Sequence, residues 1–388
     1  MKQILSLAMI PVMALGLAFT SCSDENNSDD PSTSIDAKEQ TLQKAAAAYV
    51  NNTVLPTYKG MADKAIELYE LCETMADKHT AGTLAQSDII AAGEAWKESR
   101  RNWELSEAFL FGPAADHNID PHIDSWPLDK PAMDNLLESL RGGADLSIDN
   151  NFGYGLLGFH SIEYMLFELD DDETKSLPHS TNYTAEEMKY LLMVAEDLRN
   201  QCVCLEACWA GTENISAQKQ EILEDADLDK GKNHGDMMIN AGKAGSIYKT
   251  YQAVAEEIIQ GCIDIADEVG NTKIGRPNQG GSEDDRNYIE SPYSLNSIVD
   301  FQENIRSIRN SYLGSKDGDA SISDYIKTVN PELDVQVRAA IENSIEAIGR
   351  IPEPFAKNAK CAEATMAVEI TGTELQEVLE KVHSQLSR

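Results

Sequence analysis

From Ala37 onward, apolar positions recur every three or four residues through long stretches rich in Ala, Leu, Glu, Lys and Met. That period lays one apolar stripe along each α-helix, whereas β-branched runs bounded by hairpin turns, the mark of strands, are absent. The pattern predicts helices over 37–58, 60–78, 86–110, 131–141, 154–168 and 184–210. It predicts six more over 215–226, 236–269, 292–313, 319–328, 331–350 and 359–386. The expected fold class is all-α, and 388 residues are long enough for two domains of ordinary size.

Two segments break the regularity: Gly112 to Pro131, which carries His117 and His122, and the glycine-rich run Gly270 to Ser291. Both are expected as loops, and loops of this length in a compact helical domain are more often functional than idle.

The stripe Ile298, Phe301, Ile305, Ile308, Tyr312 has the spacing of one buried helix face and is expected as core. A second stripe, Trp96, Arg100, Trp103, Glu107, mixes two large aromatics with opposite charges. An Arg and a Glu on a core-facing stripe must be paired or must face a polar cavity. Aligning Gly112 with Gly314 gives a short internal echo, with Glu104 and Glu107 opposite Arg306 and Arg309, as two diverged repeats would produce.

The first residues follow a different pattern. Lys2, the apolar run Ile4 to Phe19 and the small residues before Cys22 read as a secretion signal over 1–21. The acidic, polar stretch after Cys22 has too little apolar surface to fold, so 22–35 is expected as a tether. A cysteine in this setting resembles the processing site of bacterial lipoproteins, and the acidic run resembles the surface-export signal of Bacteroidetes lipoproteins. The resemblance implies lipidation of Cys22 and an outer-membrane location, periplasmic or surface-exposed. The membrane would be a partner through that anchor alone, since several acyl chains hold where one does not.

Charge sharpens the picture. Lys plus Arg number 32 against 66 Asp plus Glu, a formal charge of −34, which repels phosphate backbones and excludes nucleic acid as a partner. The same charge concentrates cations. Besides Cys22, six cysteines are too sparse for a disulfide scaffold, and without paired Cys-x-x-Cys units a thiolate zinc site is not expected.

The chemistry-bearing motif is Gly158-Phe159-His160-Ser161-Ile162-Glu163. Three residues apart on a helix, His160 and Glu163 project from one face, within reach of one metal ion. By itself such a pair is more often a structural hydrogen bond. Together with the segments at 103–113, 124–129 and 300–314, it makes the chain similar to the imelysin family along nearly its whole length.

That resemblance implies an exported, all-helical protein of two helical-bundle halves packed together, here 36–230 and 231–388, associated with bacterial iron uptake, whose motif carries over as Gly158, His160 and Glu163. On this reading His160 and Glu163 are metal ligands, with Glu107 a candidate third. Arg101 and Arg309 would orient a carboxylate or an anionic iron ligand near the interface between the halves, and Trp103 and Trp126 would line the site. The cargo would be iron, as ion or chelate, with zinc the other candidate and an iron-uptake protein as partner. The family is also classed as a metallopeptidase, in which Glu163 would be base or ligand. Yet the chain lacks His-Glu-x-x-His, and the inverted form fails at Tyr164. A third ligand and a base would have to come from elsewhere, for example Glu107, His117, His122 or Asp124. A non-catalytic binding scaffold is the remaining alternative.

Overall fold

The computed structural model describes residues 31–228 and 231–388. The signal segment, Cys22 and most of the tether lie outside the described residues. Helix α1 (Pro31–Ala48) passes through a π-helical segment, Tyr49–Val54, straight into α2 (Leu55–Thr80). The break expected near residue 59 is therefore absent: Pro56 falls in the first turn of α2, where a missing N–H is tolerated.

Helix α2 packs between α3 (Gln86–Glu104) and the long α6 (Ala185–Ala210). Between these lie α4 (Lys130–Arg141) and α5 (Gly158–Leu166), with α7 (Ala217–Asp225) following α6. The second bundle comprises α8 (Tyr251–Asp267), α9 (Ser297–Leu313), α10 (Ile322–Val329), α11 (Pro331–Gly349), α12 (Ala362–Glu369) and α13 (Gln376–Leu386). The chain crosses between bundles early, because α1 packs on α8 and α10 whereas its continuation α2 packs on α3 and α6. One connected apolar core runs through both, and the α9 stripe from Ile298 to Tyr312 lies inside it as expected.

Three local differences from the sequence reading have physical causes. The expected helix 154–168 ends at Leu166, and β1 (Phe167–Leu169) pairs antiparallel with β2 (Ser176–Pro178). Asp170 closes that hairpin by accepting from the Thr174 and Lys175 amides at 2.7 and 3.0 Å. The expected helix 236–269 is split into His234–Ile239 and α8, with Thr250 capping α8 by accepting from the Ala253 amide. Much of the expected loop 270–291 is helical, since α8 continues as the π-helical segment Glu268–Ile274 and then Gly275–Gln279. That π segment meets a third one, Ile370–Leu375, where a Cβ on Gly270 would come within 2.3 Å of Gly372 Cα. No described helix is long and apolar enough to cross a membrane.

Candidate functional site

Gly158 begins α5 at φ +72°, and a Cβ there would lie 2.0 Å from the Ile123 carbonyl oxygen. Only glycine lets the start of α5 rest directly on the turn Ile119–Ile123. The contact matters because Asp124 follows that turn and meets His160, two residues into α5. His160 and Glu163 then share one face of α5, both buried.

His160 lies between two carboxylates. Its Nδ1 is 3.4 Å from Glu163 Oε2, and its Nε2 is 3.0 Å from Asp124 Oδ1, although that N–H is not aligned for a hydrogen bond. Glu163 is anchored by its other oxygen: Oε1 accepts from the Tyr293 amide at 3.0 Å, the Ser294 amide at 2.7 Å and the Ser294 hydroxyl at 2.7 Å. Burial and Arg100 push the His160 imidazole down, but Asp124 and Glu163 outweigh them and it is pushed up to about 9.

Asp124 is held from three sides. Trp103 Nε1 donates to its Oδ2 at 2.8 Å, and Arg100 Nη1 and His160 approach Oδ1. Burial alone would raise the carboxyl, yet Arg100 and His160 hold it well below the usual carboxylate range. Arg100 also meets Glu104 and Glu290, each at 2.6 Å, and Asp300 at 3.2 Å, all within the protein interior. The pairing demanded by a charged residue on a core-facing stripe is thus met mainly by partners distant in sequence.

Lys273, turned inward by its π segment, is a second buried cation of this cluster. It lies 3.2 Å from Glu290, 3.7 Å from Glu107 and 3.8 Å from Glu104, with its ammonium 5.2 Å from the Trp126 ring centre. Burial pushes the carboxyls of Glu104, Glu107 and Glu290 up, against the pull of Lys273 on all three and of Arg100 on Glu104 and Glu290. The carboxylates Glu104, Glu107, Asp124, Glu163, Glu290 and Asp300 outnumber Arg100, Lys273 and His160. The cluster therefore favours additional cations or protons.

A cavity of about 300 Å³ opens onto His160 and Glu163, walled by Trp126, Leu128, Ile289 and Tyr293, with Arg286 also lining it. Of the residues expected here, Gly158, His160, Glu163, Trp103 and Trp126 are brought together. Glu107 is not: it faces Lys273, and its nearby ligand groups are Glu104 and Asp124. Arg101 and Arg309 do not line the cavity either. Arg101 points outward and reaches Glu303 at 3.3 Å, because neighbouring helical positions are turned roughly 100° apart and Arg100 takes the inner one. Arg286 is the guanidinium at the cavity. His117 and His122 stay outside it.

The donor set suits a metal ion in one place better than in another. Ligand atoms 3.4 Å apart, like His160 Nδ1 and Glu163 Oε2, subtend roughly 110° at an ion bound at ordinary distances of about 2.1 Å, and both residues border the cavity. Asp124, His160 and Glu290 also place ligand atoms within 4.8 Å of one another. Arg100, however, bonds both of those carboxylates, so a cation there would have to displace a buried guanidinium. Asp124 is better placed to orient the imidazole from behind, as a carboxylate behind a metal-binding histidine commonly does.

A family model described as imelysin, peptidase M75, matches residues 54–382. The chain belongs to the imelysin family. Iron-regulated protein A of Synechococcus elongatus is 28% identical over 350 residues, covering 89% of this chain and 85% of that protein. A solved structure from Parabacteroides distasonis, named as a candidate iron-regulated protein A precursor, matches with a TM-score of 0.72 at 28% identity, over 90% of this chain and 95% of that one. An imelysin-like protein from Psychrobacter arcticum shares the fold, with a TM-score of 0.54 at 13% identity over 89% and 93% of the two chains. The imelysin resemblance and the all-α fold expected from the sequence both hold.

Proposed function

We propose that this imelysin-family protein binds a metal ion as cargo, with iron the intended one, between His160 Nδ1 and Glu163 Oε2. The observation that carries the reading is the buried imidazole–carboxylate pair, 3.4 Å apart, bordering a cavity with room for further ligands. Two protein donors leave several coordination positions open, so the ion can arrive hydrated or as a small chelate. The names of the Synechococcus and Parabacteroides relatives support iron over zinc. Export, a lipid anchor at Cys22 and delivery to an uptake partner at the outer membrane belong to the same proposal.

The peptidase reading draws support from the family's name but less from the geometry. A hydrolytic site needs a base beside the metal-bound water. One oxygen of Glu163 is occupied by three donors and the other faces His160, and Glu107 is engaged with Lys273. A scaffold role remains the outcome if no metal binds.

Metal content and thermal shift of the wild type, His160→Ala and Glu163→Gln with Fe²⁺ test the proposal. An ion held by the folded state alone raises its stability by mass action. That rise is expected in the wild type and lost in both variants; an equal rise in all three overturns the assignment. Chelator-sensitive cleavage of a protein substrate, lost in the same variants, would instead favour the peptidase.

A further inference from the structure

A second pair of ligand atoms lies on the far side of the segment that carries Asp124. His122, in the turn Ile119–Ile123, packs towards α6, where its Nε2 is 3.2 Å from Asp197 Oδ2. Both atoms are buried, and neither makes a hydrogen bond. Asp197 is 9% exposed. The two face each other as a pair out of hydrogen-bond alignment, and buried polar atoms that form no hydrogen bond are unfavourable and call for a bound water, ion or functional explanation. Asp124 differs, because both its oxygens are already engaged by Arg100 and Trp103.

The surroundings favour an ion. A cavity of about 230 Å³ opens over Asp197 and is lined along α6 by Glu196, Asn200 and Gln201. Gln201, also 9% exposed, offers an amide oxygen. The His122 ring is set edge-on to Tyr154, with centroids 5.5 Å apart, which fixes the direction of its nitrogens. Atoms 3.2 Å apart subtend roughly 100° at a metal with bonds of about 2.1 Å, an angle that suits tetrahedral or octahedral ions. Imidazole with carboxylate selects zinc, copper or ferrous ions over calcium and magnesium, which take oxygen alone.

We propose that His122 and Asp197 form a second divalent transition-metal site, bordered on the Asp197 side by the α6 cavity and independent of the pair at His160. Water completes its coordination, so it exchanges metal more readily than a site enclosed by protein ligands.

Zn²⁺ titration of the full chain against a chromophoric competing chelator tests this by stoichiometry. Asp197→Asn and His122→Gln, both conservative in size, are each expected to bind one equivalent fewer than the wild type, with metal-free melting and circular dichroism confirming the fold. His160→Ala is expected to keep the equivalent held by His122 and Asp197, which separates this inference from the fate of the first site. Unchanged stoichiometry in either Asp197→Asn or His122→Gln overturns it. So does loss of all Zn²⁺ binding in a folded His160→Ala protein.

Discussion

Trp103 Nε1 donates to Asp124 Oδ2 at 2.8 Å, so a large indole at the heart of the first bundle fixes the carboxylate that stands behind His160. Asp124→Asn keeps the shape but removes the charge facing Arg100 and His160. Breaking a buried ion pair on one side costs about 3–5 kcal/mol, because the remaining charge stays in the interior. A loss of that order is expected in urea denaturation, whereas Arg101→Ala, which removes an exposed guanidinium and leaves Glu303 paired with Arg306, is expected to cost under about 1 kcal/mol.

Gly158→Ala is expected to be among the most damaging small substitutions. It combines a left-handed φ with a Cβ 2.0 Å from the Ile123 oxygen, so the turn bearing Asp124 must move away. A loss of roughly 3 kcal/mol or more in thermal or urea unfolding is expected. Gly143→Ala, also at positive φ but with open space around it, is expected to cost less.

Two buried histidines respond to pH in opposite directions. Burial pushes His234 down to about 4, against the pull of Asp116, with its Nε2 3.0 Å from the Tyr248 hydroxyl. A folded value below the unfolded one, about 6.5, gives stability that is full above 6.5 and lost as pH falls towards 4, on the order of 3 kcal/mol. Urea midpoints between pH 7 and pH 4 should show this fall, reduced in His234→Gln. His160 is the reverse in the metal-free protein: pushed up to about 9, it contributes fully below 6.5 and less as pH rises through 9. His160→Gln should flatten that alkaline slope.

The helical class and the His160–Glu163 pair were legible because both follow from short-range periodicity: i and i+3 share a helix face wherever the helix goes. The remainder of the site depends on contacts across long stretches of chain. Arg100 meets Glu290 and Asp300 nearly 200 residues away, and nothing in local spacing announces those partners. Lys273 looked like part of a glycine-rich loop, but a π-helical insertion turns it inward, towards Glu107 and Glu290. Arg100 was legible as a paired residue on a core-facing stripe, but Arg101, one step of helical rotation away, turns outward to Glu303 and does not reach the cavity. Arg286 carried no signal at all, since its place at the cavity depends on how the segment after Gly280 folds back.

Crystals of the full chain loaded with Fe²⁺, measured at the iron absorption edge, would locate the ion itself. An anomalous peak within about 2.3 Å of both His160 Nδ1 and Glu163 Oε2 is the expected result. A peak between Asp124 and Glu290 with Arg100 displaced, or no ordered iron near α5, would contradict it.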